Sequence, residues 1–116
     1  MTFTAYNLTR DRILVAKGWV ATSFLARLRG LIGHESLVSG EGLLINPCKG
    51  IHTFGLGYPI DALYVDSNGM VLRAPASIRP NRVGPIILGA RAVLEIPAGM
   101  IAATGTQVGD RLAIRA

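Results

Sequence analysis

Cys48, His52 and Asp61 place a thiol, an imidazole and a carboxylate in one short stretch, "CKGIHTFGLGYPIDALYVD". A thiol activated by an imidazole that a carboxylate orients is the arrangement nucleophilic catalysis uses, provided the groups reach hydrogen-bond distance and donors await the oxyanion. Cys48, His52 and a carboxylate could also offer three metal ligands, but no paired Cys or His spacing supports such a site. The plainer reading is structural. A free cysteine usually packs as a small hydrophobe, and a His–Asp pair is more often an ion pair than a catalyst.

Whether the groups meet depends on a turn. If Gly55-Leu56-Gly57-Tyr58 closes a hairpin, Phe54 faces Pro59, Thr53 faces Ile60, and His52 lies opposite Asp61. A carboxylate beside the imidazole would favour its charged form. If Leu56 and Tyr58 instead continue a strand, the pairing is lost, and Asp61 is free to accept backbone N–H groups after Pro59. The hairpin version makes His52, Asp61, Arg29 and Phe54 the candidate ligand-binding set, with His52, Asp61 and Cys48 the candidates for any catalysis.

Arg27 and Arg29 flank a helix end before "GLIG", as a solvated helix face or as an anion contact. Glu95 interrupts the apolar "AVLEIP", either on the solvent face of an edge strand or as partner to an arginine. Neither "GEG" nor "GLG" leads into a Lys and a helix, so no phosphate loop is present. No cofactor motif emerges.

The elements that must hold these residues are mostly strands. "TFTAYNL" and "RILVAKGWV" are β-rich and separated by "TRD". "TSFLARLRGLIG" has helical spacing at Phe24, Leu25, Leu28, Leu31 and Ile32, with Thr22 or Ser23 as cap and Gly30 or Gly33 as stop, which predicts the principal helix near Ala21 to Gly33. Beyond Gly40, "GLLIN", "IHTF", "DALYVD", "MVLRA", "AVLEIP" and "RLAIRA" read as short strands. Asp66-Ser67-Asn68-Gly69 forms a hairpin turn, and "AGMIAATG" holds a short helical turn. The expectation is a mainly β fold, a small sandwich or barrel of short, mostly antiparallel strands, with the helix plugging an open face.

Half of the 116 residues are hydrophobic, enough for one sizeable core in a single domain spanning 1–116. Twelve Lys and Arg against seven Asp and Glu give a net charge of +5. The basic residues are dispersed from Arg10 to Arg115, which argues against specific nucleic-acid binding. Ten of the twelve are Arg, so a small anionic ligand remains open. The single cysteine excludes an internal disulfide, and no apolar run is long enough to span a membrane. No secretory signal is evident, so the expected location is the cytoplasm.

Taken in order, "RLRGLIG", "GEGLLI", "IHTFGLGYPIDALYVDSNGMV", "AVLEIPAGM" and "GTQVGDRL" give the chain a specific likeness. It resembles the domain of unknown function 192 family over most of its length. The resemblance implies a small, mostly β domain found in bacteria and archaea, without an established activity. In the better-known form of the family motif, an aromatic residue followed by Met, Lys and Asn precedes the Pro-Leu-Asp or Pro-Ile-Asp. Here Ile51-His52-Thr53-Phe54 and Gly55-Leu56-Gly57 occupy that stretch. Family members often carry export or lipid-attachment signals; this sequence shows none.

Three functions fit these observations. The first is a non-catalytic binding module for a small ligand or a protein partner, and the second is an enzyme using His52 and Asp61, with or without Cys48. The third is an assembly accessory that pairs through a strand edge.

Overall fold

The structure, a computed structural model, describes residues 1–23, 26–27 and 30–116. Seven strands form a single sheet: β1 (Thr2–Asn7), β2 (Arg12–Ala21), β3 (Gly40–Ile45), β4 (Ile60–Val65), β5 (Val71–Arg73), β6 (Ala92–Pro97) and β7 (Leu112–Arg115), in the spatial order β5-β4-β6-β3-β2-β1-β7. All neighbours are antiparallel except β2 and β3. The sheet curls until its two edges touch. Met70 bridges Arg111, Val71 N–H donates to the Asp110 carbonyl at 2.8 Å, and Leu112 N–H donates to the Gly69 carbonyl at 2.8 Å. Of the two expected architectures the fold is thus the barrel-like one. Where the edges meet they satisfy each other, which leaves less free edge for a partner strand.

Period-two alternation divides the core into two layers. Phe3, Leu14, Val15, Leu44, Leu63, Leu94 and Ile96 turn inward. On the other face of β3, β4 and β6, Leu43, Ile45, Ala62, Tyr64 and Val93 form a second cluster with Leu31, Ile51 and Leu56 from covering segments. These three central strands are therefore buried on both faces, and that explains their near-continuous apolar sequences. Two glycines mark backbone crowding. A Cβ at Gly18 would overlap the Phe3 ring, while Gly69 combines φ of 80° with the Leu112 carbonyl at its open face.

The Asp66–Gly69 turn forms as expected: Asp66 Oδ1 accepts from the N–H groups of Asn68 and Met70, both at 2.9 Å. The expected helical turn in "AGMIAATG" is helix α1 (Met100–Thr104), and its Met100 and Ile101 pack on the inner cluster. This helix abuts the barrel interior, the position expected of the earlier one. Of that earlier helix, Phe24, Leu25, Leu28 and Arg29 lie outside the described residues. In the remainder, Arg27 N–H donates to the Ser23 carbonyl and Gly30 N–H to the Ala26 carbonyl, both at 2.9 Å, and Ser23 Oγ accepts from Ala26 N–H at 3.1 Å. Those are helical bonds with Ser23 as cap, and Leu31 just beyond them packs on the outer cluster. "IHTF" is not a strand; within it, His52 makes an isolated bridge to Val83. Among the described residues no helix is long and apolar enough to cross a membrane.

Candidate functional site

The expected hairpin between His52 and Asp61 does not form. Asp61 pairs with Ile96 across β4 and β6, while the backbone before it loops over the outer face and bonds to the 82–84 segment. The Asp61 carboxylate is fully buried and already occupied. Its Oδ1 accepts from Ser77 N–H at 2.7 Å, and its Oδ2 from Gly99 N–H at 3.1 Å and Ile101 N–H at 2.9 Å. This is the alternative backbone role, tying β4 to the start of α1. Among the described residues no hydrogen bond or ion pair joins Asp61 to His52.

His52 is exposed, with its Nδ1 accepting Phe54 N–H at 3.3 Å and its ring 5.8 Å from the Phe54 ring. Phe54 is itself 49% exposed and lies on an apolar surface with Val83 and Ile86. Neither side chain belongs to the hydrophobic core. Arg29 falls outside the described residues. Cys48 is half-buried, and its thiol donates to the Gly50 carbonyl at 3.0 Å rather than to an imidazole. The three groups of the catalytic reading are thus separated in their bonding, and no His, Cys, Asp or Glu trio among the described residues is placed to hold a metal.

The site lies one strand away from Asp61. A cavity of about 210 Å³ opens between the outer face of the sheet and the segments that cover it, walled by Leu31, Ile32, Ile45, Ile51 and Leu56. Arg27, Cys48, His52 and Glu95 supply its polar groups. Glu95 is the unexpected member. It sits on β6, a central strand between β4 and β3, so it occupies neither a solvent face nor a sheet edge. Only 2% of its surface is exposed, and among the described residues Oε1 has no hydrogen-bond partner. Nor does an ion pair with an arginine form among the described residues. Burial alone pushes the carboxyl up to about 8.

That buried carboxyl perturbs its neighbours. The Tyr58 hydroxyl, also buried and without a hydrogen-bond partner among the described residues, is raised first by its own burial and then by the Glu95 charge. Burial likewise raises the Cys48 thiol, opposed by the Gly50 backbone bond, with Glu95 pushing the same way as burial and Arg27 against it. A thiol held protonated is a poor nucleophile. Iodoacetamide should therefore label Cys48 in the folded protein at least about tenfold more slowly than in urea at neutral pH. Labelling as fast as that of the unfolded chain would restore the nucleophile reading.

The signal for Glu95 was available in the sequence. Ala92, Leu94 and Ile96 fix one face of the strand inward, and Val93 beside Glu95 marks the opposite face as apolar too. A strand apolar on both faces is a central strand, whose lone acid must be buried.

A curled, seven-stranded sheet with a covered outer cavity defines a small, mainly β, barrel-like domain. The chain belongs to the domain of unknown function 192 family, described as an uncharacterized ACR, whose profile matches residues 7–114. No curated protein matches it in sequence. Its fold is similar to that of a protein of unknown function from Novosphingobium aromaticivorans, with a TM-score of 0.83 and 22% identity over 97% of this chain and 84% of that one. A proposed transcription regulator from Sinorhizobium meliloti gives a TM-score of 0.78 at 20% identity, covering 97% and 91% of the two chains. A proposed exported protein from Burkholderia pseudomallei gives 0.52 at 17% identity, covering 97% of this chain but 24% of that one. At these identities the likeness is one of fold alone.

Proposed function

We propose that this chain is a non-catalytic binding module whose ligand is a small molecule held in the Glu95 cavity. The observation that carries this reading is the buried Glu95 carboxyl in the wall of a largely aliphatic hollow, its Oε1 without a hydrogen-bond partner among the described residues. Buried polar groups are nearly always hydrogen-bonded, and an orphaned one inside a cavity suits a ligand that completes it. The size agrees with a small occupant. About 210 Å³ is below the roughly 300–1,000 Å³ of pockets for drug-sized ligands. Asp61, engaged by three backbone N–H groups, weighs against the catalytic alternative. The free Cys48 thiol suits the reducing cytoplasm.

A protein partner is the second reading, favoured by the apolar surface at Phe54, Val83 and Ile86, which shares Gly50, Ile51 and His52 with the cavity. The cavity reading is tested by an NMR screen of small apolar molecules bearing one polar group each. Amide shifts should cluster at Gly30, Cys48 to His52, Leu56 and Glu95, and Cys48→Leu, which fills the cavity wall, should abolish them while the protein still melts cooperatively. Shifts confined to the Phe54 and Ile86 surface, or surviving Cys48→Leu, would reject it.

A further inference from the structure

Resting on that reading, we infer that the cavity takes a small apolar monocarboxylate, its carboxylate held between the Arg27 guanidinium and the Glu95 carboxyl and its hydrocarbon part by Ile45, Ile51 and Leu56. The geometry supplies both halves. The walls are aliphatic, and the polar groups gather with Arg27 and Glu95 lining the same hollow. A guanidinium is permanently charged and forks onto carboxylates.

The charges around Glu95 decide between an anion and a cation. From the covering segments it is faced by Arg27, Cys48, His52 and Tyr58, and from β4 by Tyr64, whose hydroxyl donates to the Pro85 carbonyl at 2.8 Å. No second acid faces it among the described residues. With its carboxyl raised by burial, Glu95 carries its proton at neutral pH and offers an O–H donor rather than a negative charge. Cys48 and Tyr58 keep their protons too. Among the described residues the cavity therefore presents one fixed positive charge, Arg27, and a set of donors. A ligand ammonium would meet Arg27 with the same sign and would have to ionise Glu95 first. A carboxylate meets a cation and can accept the Glu95 proton in a short hydrogen bond.

Binding of a carboxylate here has a pH dependence of fixed sign. Binding requires protonated Glu95, so affinity is full below its midpoint and falls by about tenfold for each pH unit above it. Isovalerate, isoamylamine and isoamyl alcohol share one branched chain and differ in the head group, which makes them the probes for NMR titration of the intact chain near pH 6.5 and near pH 9.5. Isovalerate should bind most tightly at the lower pH and lose most of its affinity at the higher. Glu95→Gln, which cannot ionise, should flatten that profile, and Arg27→Met should erase the preference for isovalerate over the alcohol. Tighter binding of the amine, or isovalerate affinity that holds or rises with pH, would overturn the carboxylate assignment. Binding by the alcohol or amine alone at the cavity residues would sink this inference and leave the cavity reading standing; binding by none of the three would sink both.

Discussion

Replacing Asp61 with alanine should destabilise the protein by on the order of 4 kcal/mol, a large part of the 5–15 kcal/mol that usually separates folded from unfolded domains. The carboxylate is fully buried and accepts three backbone N–H groups, from Ser77, Gly99 and Ile101. Alanine leaves all three donors without this acceptor at a part-buried site, at about 1–3 kcal/mol for each that finds no other partner. The contacts also join segments far apart in sequence, since β4 is tied to the 77 loop and to the start of α1. Asp61→Asn should cost less than alanine, because the amide retains one acceptor oxygen while its NH₂ faces N–H groups it cannot accept. Urea unfolding measures both, and hydrogen exchange should show lost protection at Gly99 and Ile101 ahead of the rest. A cost for Asp61→Ala below about 1 kcal/mol would mean that the three donors find other partners.

Asp61 also shows where the sequence could be read and where it could not. Its place on a strand followed from "DALYVD", and the Asp66–Gly69 turn followed from residues that tolerate positive φ. The partner of a strand is a different matter. Placing His52 opposite Asp61 assumed that nearness in the chain would become a hairpin, yet the Cys48 to Pro59 segment crosses the outer face and bonds to residues some thirty positions further on. Nothing local in "IHTFGLGYP" specifies Val83 as the bridge partner of His52. Glu95 failed for a related reason. Its strand and the apolar pattern on both of its faces were legible, so burial could have been expected, but the cavity that the acid lines depended on Leu31, Ile51 and Leu56 folding over it. Local pattern assigns faces, and non-local closure decides which of them are covered.

The same closure makes stability fall as pH rises. Glu95 has an ordinary value of 4.5 and is pushed up to about 8 by burial in the folded protein. Below 4.5 the folded and unfolded chains both hold the proton, so the stability contribution is full. Between that value and about 8 the unfolded chain releases the proton and the native chain keeps it, which favours unfolding by about 1.4 kcal/mol per pH unit. Across the window the loss is on the order of 5 kcal/mol, and above it no more is lost. Glu95→Gln cannot ionise in either state. The variant should match the parent near pH 4.5 and exceed it by several kcal/mol near pH 8, with the gap opening steadily between them. Asp110 does not confuse the comparison: despite its burial, bonds from Arg10, Asn7 and Gln107 hold it below its ordinary value, and it titrates alike in both proteins. Urea unfolding of parent and variant at matched pH gives the difference directly. Parallel curves would mean that Glu95 reaches water in the native state, and the cavity would lose its buried carboxyl. A diverging pair would instead show a side chain that weakens the fold at neutral pH, a burden that a group filling an ordinary core position would not impose and that a ligand-binding group can explain.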